Sequence, residues 1–193
     1  MGSTGGLVLT VGPSGAGKDS VIQGARIRLR GDERFLFPRR IVTRPAGSVG
    51  EDHLSMSEAD FAATERAGGF LLSWRAHGLA YGVPASIGDD LADGRVIVIN
   101  VSRTSIQAAV ARFPATWVAL ITASPAVLAE RLSRRGRENA ADMEARMARA
   151  DAVPIAAPHM MVFENVGPLN WTVDRFVTFL DSLAAAVRPG FSE

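Results

Sequence analysis

Residues 12–20 read Gly-Pro-Ser-Gly-Ala-Gly-Lys-Asp-Ser and follow directly on the apolar run 7–11. Gly12, Gly17 and Lys18 have the spacing of a Walker A phosphate loop, a turn that functions only between a strand and a helix. Glycines let the backbone wrap an anion with its amides pointing inward, and the following helix turns its positive end toward the same point. Gly12, Pro13, Ser14, Gly15, Ala16, Gly17 and Lys18 are therefore candidate contacts to a nucleoside triphosphate. Lys18 supplies a compact charge to the β- and γ-phosphates, a task that a planar guanidinium does not reproduce. Lys18 is also the only lysine among 21 basic residues. A chain that otherwise uses arginine throughout has kept its lysine at the one position where the substitution matters.

Beyond the loop, strand-like and helix-like runs alternate, the pattern of a parallel sheet covered on both faces. Short, almost wholly apolar runs at 7–11, 96–101, 118–122 and 160–163 suit strands buried on both sides. Helices are expected at 19–29, 57–67, 84–93, 105–112, 125–134, 142–153 and 170–187. Ser57 and Asp60 make a capping-box-like start, and Asp93 with Gly94 makes a natural stop. The fold class is α/β, in one domain. Two segments interrupt the alternation. Residues 39–81 are rich in Gly, Arg and polar side chains and read as a substrate-binding lobe. Residues 131–149 carry six arginines and read as a lid.

Composition removes other classes. There is no cysteine, so disulfides and thiolate metal sites are excluded. The formal net charge of +1 argues against a sequence-independent nucleic-acid binder. No basic region leads into an apolar run at the start, and no apolar stretch has the length of a membrane span. A soluble, cytoplasmic enzyme is expected, with no membrane or nucleic-acid partner.

The loop departs from the usual pattern at one position, where Asp19 stands in place of the magnesium-binding Ser or Thr. A carboxylate beside a triphosphate is repulsive unless a cation lies between them. Asp19 then serves Mg2+, directly or through water, with Ser20 as the alternative ligand. The other alternative is an ordinary acidic residue in a helix's first turn. The run 96–100 ends in Asn100, where many proteins with this loop have a metal-side carboxylate.

From Arg39-Arg-Ile-Val-Thr-Arg44-Pro and Gly50-Glu51 onward, the chain resembles guanylate kinase. The likeness continues through Ser73-Trp74, Tyr81-Gly82, Arg131, Arg135 and Arg146. It implies that Arg44 and Tyr81 hold an acceptor phosphate, and that Arg131, Arg135 and Arg146 close over the transferring group as catalytic residues. The two carboxylates with which that family reads guanine fall at Ser73 and near Asn100, so GMP is not the expected acceptor. Lys18-Asp19-Ser20, Glu51-Asp-His53, Ser73-Trp74, Asn100-Val-Ser-Arg103 and Arg135-Gly-Arg137-Glu-Asn139 are together similar to the ribose 1,5-bisphosphate phosphokinases. Those guanylate-kinase-like enzymes of the phosphonate pathway make 5-phosphoribosyl 1-diphosphate from ATP.

That resemblance implies ATP and Mg2+ as cofactors and a small phosphorylated sugar as acceptor. Glu51, His53, Ser73, Asn100 and Arg103 join Arg44 and Tyr81 as acceptor-side candidates. Arg137 and Asn165 join the phosphate loop on the nucleotide side. Glu51 and His53 have a loop or surface role as the alternative, and Asn165 could be a turn residue. The acceptor phosphate, with a second pKa near 6, is mostly dianionic at pH 7 and needs no general base. His53, His77 and His159 are accordingly not expected to be catalytic. Two other readings remain, a nucleoside monophosphate kinase of altered base choice and a catalytically silent binding module.

Overall fold

The computed structural model describes residues 5–44, 53–76, 78–134 and 157–187. Its main sheet has five parallel strands in the order β2-β7-β1-β8-β9. These are β1 (Gly6–Val11), β2 (Phe35–Leu36), β7 (Val96–Asn100), β8 (Thr116–Thr122) and β9 (Met160–Glu164). The central strand β1 shows why the apolar runs form strands here. Leu7, Leu9 and Val11 enter one core and Val8 the other, and all four are fully buried. A continuous apolar run satisfies two cores at once, as a sheet covered on both faces demands. The four expected strands appear as β1, β7, β8 and β9.

On one face lie α1 (Lys18–Arg28), part of α5 (Pro125–Arg134) and the long α6 (Leu169–Val187). Phe176, Leu180, Leu183 and Ala184 recur at helical spacing along the buried stripe of α6. Phe176 meets Phe163 of β9 edge-on, with centroids 5.3 Å apart. Burying each such ring contributes about 1.5–3 kcal/mol. Helices α1 and α6 approach closely because α1 has Gly24 at the crossing, where a Cβ would lie 2.5 Å from Val173 Cγ2.

The opposite face carries α3 (Ile87–Ala92), α4 (Ile106–Arg112) and a second sheet. That sheet has the order β4-β3-β6-β5, from β3 (Arg40–Val42), β4 (His53–Ser55), β5 (Phe70–Ala76) and β6 (Leu79–Pro84). The polar segment expected as a lobe thus has a sheet of its own. Its outer face packs on α2 (Glu58–Arg66), where Phe61 stacks on Phe70 at 4.5 Å. Ser57 caps α2 by accepting from the Asp60 amide at 3.1 Å, as the sequence predicts. The inner face, with Leu72, Trp74 and Val83, shares a core with Ile99 and Val101 of the main sheet. The helix expected from 84 begins at Ile87, because Pro84 still belongs to β6 and the Ala85 amide donates to Gly69 O. The helix expected at 142–153 lies outside the described residues. Among the described residues, no helix is long and apolar enough to cross a membrane.

Candidate active site

The turn from β1 into α1 is held open by three glycines with positive φ, Gly12 (+150°), Gly15 (+84°) and Gly17 (+85°). Helix α1 starts at Lys18 without any side-chain cap. Its first amides and its dipole are directed at the space inside the turn, which is a cradle for anionic oxygens. Lys18 Nζ lies over this turn and donates to the carbonyls of Gly12 (2.9 Å) and Pro13 (3.0 Å).

Asn165 supports the turn from beneath. It is almost fully buried, its backbone amide donates to Thr122 O (2.7 Å), and its Nδ2 donates to Ala16 O (2.8 Å). Thr172, on the first turn of α6, donates its hydroxyl to Asn165 Oδ1 (3.3 Å). Thr172 has no signal in the sequence, because its role depends on where α6 lands. Arg131 reaches across from α5, with Nη1 3.5 Å from the carbonyls of Gly15 and Ala16. Gly15, Gly17, Ser20, Arg131, Asn165, Gly167 and Leu169 enclose a cleft of about 290 Å³ beside the turn. The sequence reading offered Asn165 as a pocket wall or a turn residue. In the fold it is a wall of this cleft and also the strut of the loop.

On the other side of the turn, Asn100 at the end of β7 donates Nδ2 to Asp19 Oδ1 at 2.7 Å. The usual arrangement, a hydroxyl after the lysine and a carboxylate on the strand, is exchanged here for a carboxylate after the lysine and an amide on the strand. One negative charge is kept in either case. The backbone carbonyl of Asn100 accepts from Arg40 Nη1 (3.1 Å). Burial pulls the Arg40 pKa down from its ordinary value, opposed by the attraction of Asp19 and the Tyr81 hydroxyl and reinforced by Arg44. Arginine stays charged under such shifts.

Arg40 was not a sequence candidate. Its signal is the alternation of β3, which puts Arg40 and Val42 on one face, and Val42 is in register with Tyr81. The Arg40 guanidinium lies 5.6 Å from the Tyr81 ring, and Tyr81 in turn stacks on Trp74 at 5.4 Å and 5°. Thr43 fixes this register, with its hydroxyl accepting from the Ala80 amide (2.8 Å) and its own amide donating to Ala80 O. His53 pairs with Arg40 across β3 and β4. Arg103 lies three residues past the end of β7 and is half-buried near the same strand end.

Ser73 takes the other face of the second sheet. Its cross-strand partner is Gly82, whose added Cβ would meet the Phe70 ring at 2.6 Å, on the α2 side. There Ser73 hydrogen bonds to Glu65, which, with help from Arg75, holds the Glu65 carboxyl below its usual range. The expected grouping of Ser73 with Tyr81 is therefore not present. His159 stacks on Trp117 at 5.7 Å, a structural contact away from the loop. Glu51, Arg135, Arg137 and Arg146 lie outside the described residues, as does His77.

No protein-family model matches the chain. Over 165 residues it is 50% identical to ribose 1,5-bisphosphate phosphokinase PhnN of Acidiphilium cryptum, covering 86% of this chain and 87% of that one. It is 46% identical over 193 residues to the bifunctional ribose 1,5-bisphosphokinase-thymidine phosphorylase of Cupriavidus necator. That match covers 98% of this chain but only 32% of the longer relative. Among solved structures, guanylate kinase from Anaplasma phagocytophilum superposes with a TM-score of 0.67 at 18% identity, covering 93% of this chain and 86% of that one. Identity at that level fixes the fold alone. Identity of one half over matched lengths fixes more: the chain belongs to the ribose 1,5-bisphosphate phosphokinase family.

Proposed function

We infer that this protein transfers the γ-phosphoryl group of magnesium-bound ATP to ribose 1,5-bisphosphate, giving 5-phosphoribosyl 1-diphosphate and ADP. The observation that carries this reading is the 50% identity to a relative of the same length that bears that activity in its name. The geometry supports it. A phosphate loop lies on one side of Asp19 and Asn100, and a face carrying Arg40 and Tyr81 lies on the other.

An oxygen of the anomeric phosphate forms the new bond to the γ-phosphorus as the bond to the β–γ bridging oxygen breaks. The attacking phosphate is already mostly dianionic at pH 7, so no proton has to be removed. What the protein contributes is alignment and opposite charge. Lys18 and the loop amides hold the donor, and Arg131 stands above the loop to meet charge on the transferring group. Arg135, Arg137 and Arg146 are proposed to complete that lid. Arg44 and Tyr81 hold the acceptor's 5-phosphate, with Glu51, His53 and Arg103 proposed around the sugar. We assign the reaction to the cytoplasm, the compartment that supplies ATP.

Magnesium bound with the triphosphate would neutralise part of its charge during transfer. The residues fit it. This ion usually takes one or two carboxylates and fills its shell with phosphate oxygens and water, and Asp19 offers a carboxylate with Asn100 fixing one oxygen. Ser20 stands next to it as the alternative. Among the described residues no group of three or more acidic, His or Cys side chains forms a protein cage for a metal. Asp19→Asn should raise the magnesium concentration for half-maximal activity several-fold and leave the melting temperature unchanged. An unaltered magnesium titration would return Asp19 to a helix-start role.

The acceptor is tested by supplying magnesium-ATP with ribose 1,5-bisphosphate, ribose 5-phosphate or GMP and following products by phosphorus NMR. Ribose 1,5-bisphosphate should be consumed efficiently. Ribose 5-phosphate offers a neutral hydroxyl and should be poor, and GMP should be nearly inert. Efficient use of GMP with ribose 1,5-bisphosphate inert would favour a nucleoside monophosphate kinase. Failure of every acceptor would favour a silent binding module.

A further inference from the structure

Arg40 is a charged side chain that joins the second sheet to the end of β7 beside the phosphate loop. Its Nη1 is anchored on the Asn100 carbonyl at 3.1 Å, and the Asn100 side chain is bonded to Asp19 in the first turn of α1. Its guanidinium lies against the Tyr81 ring, which is braced by Trp74. Position and orientation are therefore fixed from two sides.

Arg44 lies four residues further along the chain, past the end of β3 at Val42 and in the bend formed by Thr43 and Arg44. With Arg44 assigned to the 5-phosphate above, the other end of the acceptor is left to a different cation. Arg40 is at the end nearer Asp19 and the loop. Burial disfavours the charge on Arg40, and Asp19 and Tyr81 oppose that effect more strongly than Arg44 adds to it. A phosphate dianion bound at Arg40 would offset the cost of burying its charge.

We propose that Arg40 binds the attacking phosphate of the acceptor, so that Arg40 and Arg44 together select an acceptor with a phosphate at each end. The proposal rests on the acceptor assigned above and adds to it a residue that measures the second phosphate. A planar fork can keep its bond to the Asn100 carbonyl and present another edge to a phosphate. It would also screen the approach of one phosphate dianion to another.

The test is calorimetric titration of ribose 1,5-bisphosphate and of ribose 5-phosphate into wild type, Arg40→Gln, Arg40→Lys and Arg44→Gln, each saturated with a non-hydrolysable ATP analogue. Arg40→Gln should weaken the bisphosphate about tenfold or more and change ribose 5-phosphate less than about twofold. Arg44→Gln should weaken both. Arg40→Lys keeps the charge without the fork and should recover part of the bisphosphate affinity. It is also the variant to rely on if Arg40→Gln melts early. If the Arg40 variants weaken both ligands equally, or neither, while wild type still prefers the bisphosphate, Arg40 is only a tether and the proposal is overturned with the function intact. If wild type does not bind ribose 1,5-bisphosphate, the acceptor assignment fails and this proposal fails with it.

Discussion

Lys18→Ala should lower turnover by at least two orders of magnitude, on the order of 3 kcal/mol of lost transition-state stabilisation, while the protein stays folded. Lys18 Nζ sits over the loop, bonded to the carbonyls of Gly12 and Pro13. With a triphosphate in the cradle, the same short reach brings the ammonium to oxygens whose charge changes as the γ-phosphoryl leaves. Alanine is the better helix former at the first position of α1, so the substitution has no reason to unfold the chain. Lys18→Arg should serve poorly as well, because its broad guanidinium does not fit a turn sized for a point charge. Melting curves and steady-state rates on both variants check the two halves of the expectation. Near-normal turnover in Lys18→Ala would remove the phosphate-loop assignment.

The parts of this structure that could be read from the sequence are those where one local pattern meets one structural need. The runs at 7–11, 96–101, 118–122 and 160–163 had to be strands with two buried faces, and β1, β7, β8 and β9 are those strands. The spacing of Gly12, Gly17 and Lys18 required a strand before it and a helix after it, and both are present. The second sheet was not legible. Its β3 and β4 are three residues long, β5 carries an irregularity between Phe70 and Leu72, and its order depends on pairing between distant segments. Without those strand assignments the faces of the lobe could not be sorted. Ser73 and Tyr81 were both offered as acceptor-side residues, although the register puts Ser73 with Gly82 on the α2 side and Tyr81 with Trp74 on the inner side. Arg40 was passed over for the same reason, since its alternation with Val42 means nothing until β3 is a strand.

Asp19 is a different case. Its departure from the usual loop was plain in the sequence, but its partner was not. Asn100 stood as the place where a carboxylate was missing and as an acceptor-side candidate, with nothing to pair it with Asp19. The 2.7 Å bond between them makes the two departures one exchange, with the charge moved from the strand to the helix and the hydrogen bond preserved. Either residue alone looks like a loss. As a pair they keep one carboxylate and one hydrogen bond beside the loop.

Gly12→Ala is expected to damage stability more than any other single-methyl change in the loop. Gly12 has φ of +150°, a conformation rarely open to an L side chain. A Cβ there would lie 1.9 Å from Ile121 O, a backbone atom of β8 that cannot rotate aside. Ile121 is fully buried, and β8 is locked between β1 and β9, so relief requires moving the strand or the loop. The cost should be about 3 kcal/mol or more, the strain of a forbidden backbone added to overpacking. For a domain of this size that lowers the melting temperature by about 6–12 °C. A displaced loop also aims its amides wrongly, so the stabilisation that a bound ATP analogue gives wild type should largely vanish. Gly31→Ala is the control. Gly31 has φ of +85° but nothing within 4 Å of an added Cβ, so it carries backbone strain without a clash and should cost about 1 kcal/mol. If Gly12→Ala melts together with Gly31→Ala and keeps its response to the analogue, the close approach of the loop to β8 is not a constraint on this fold.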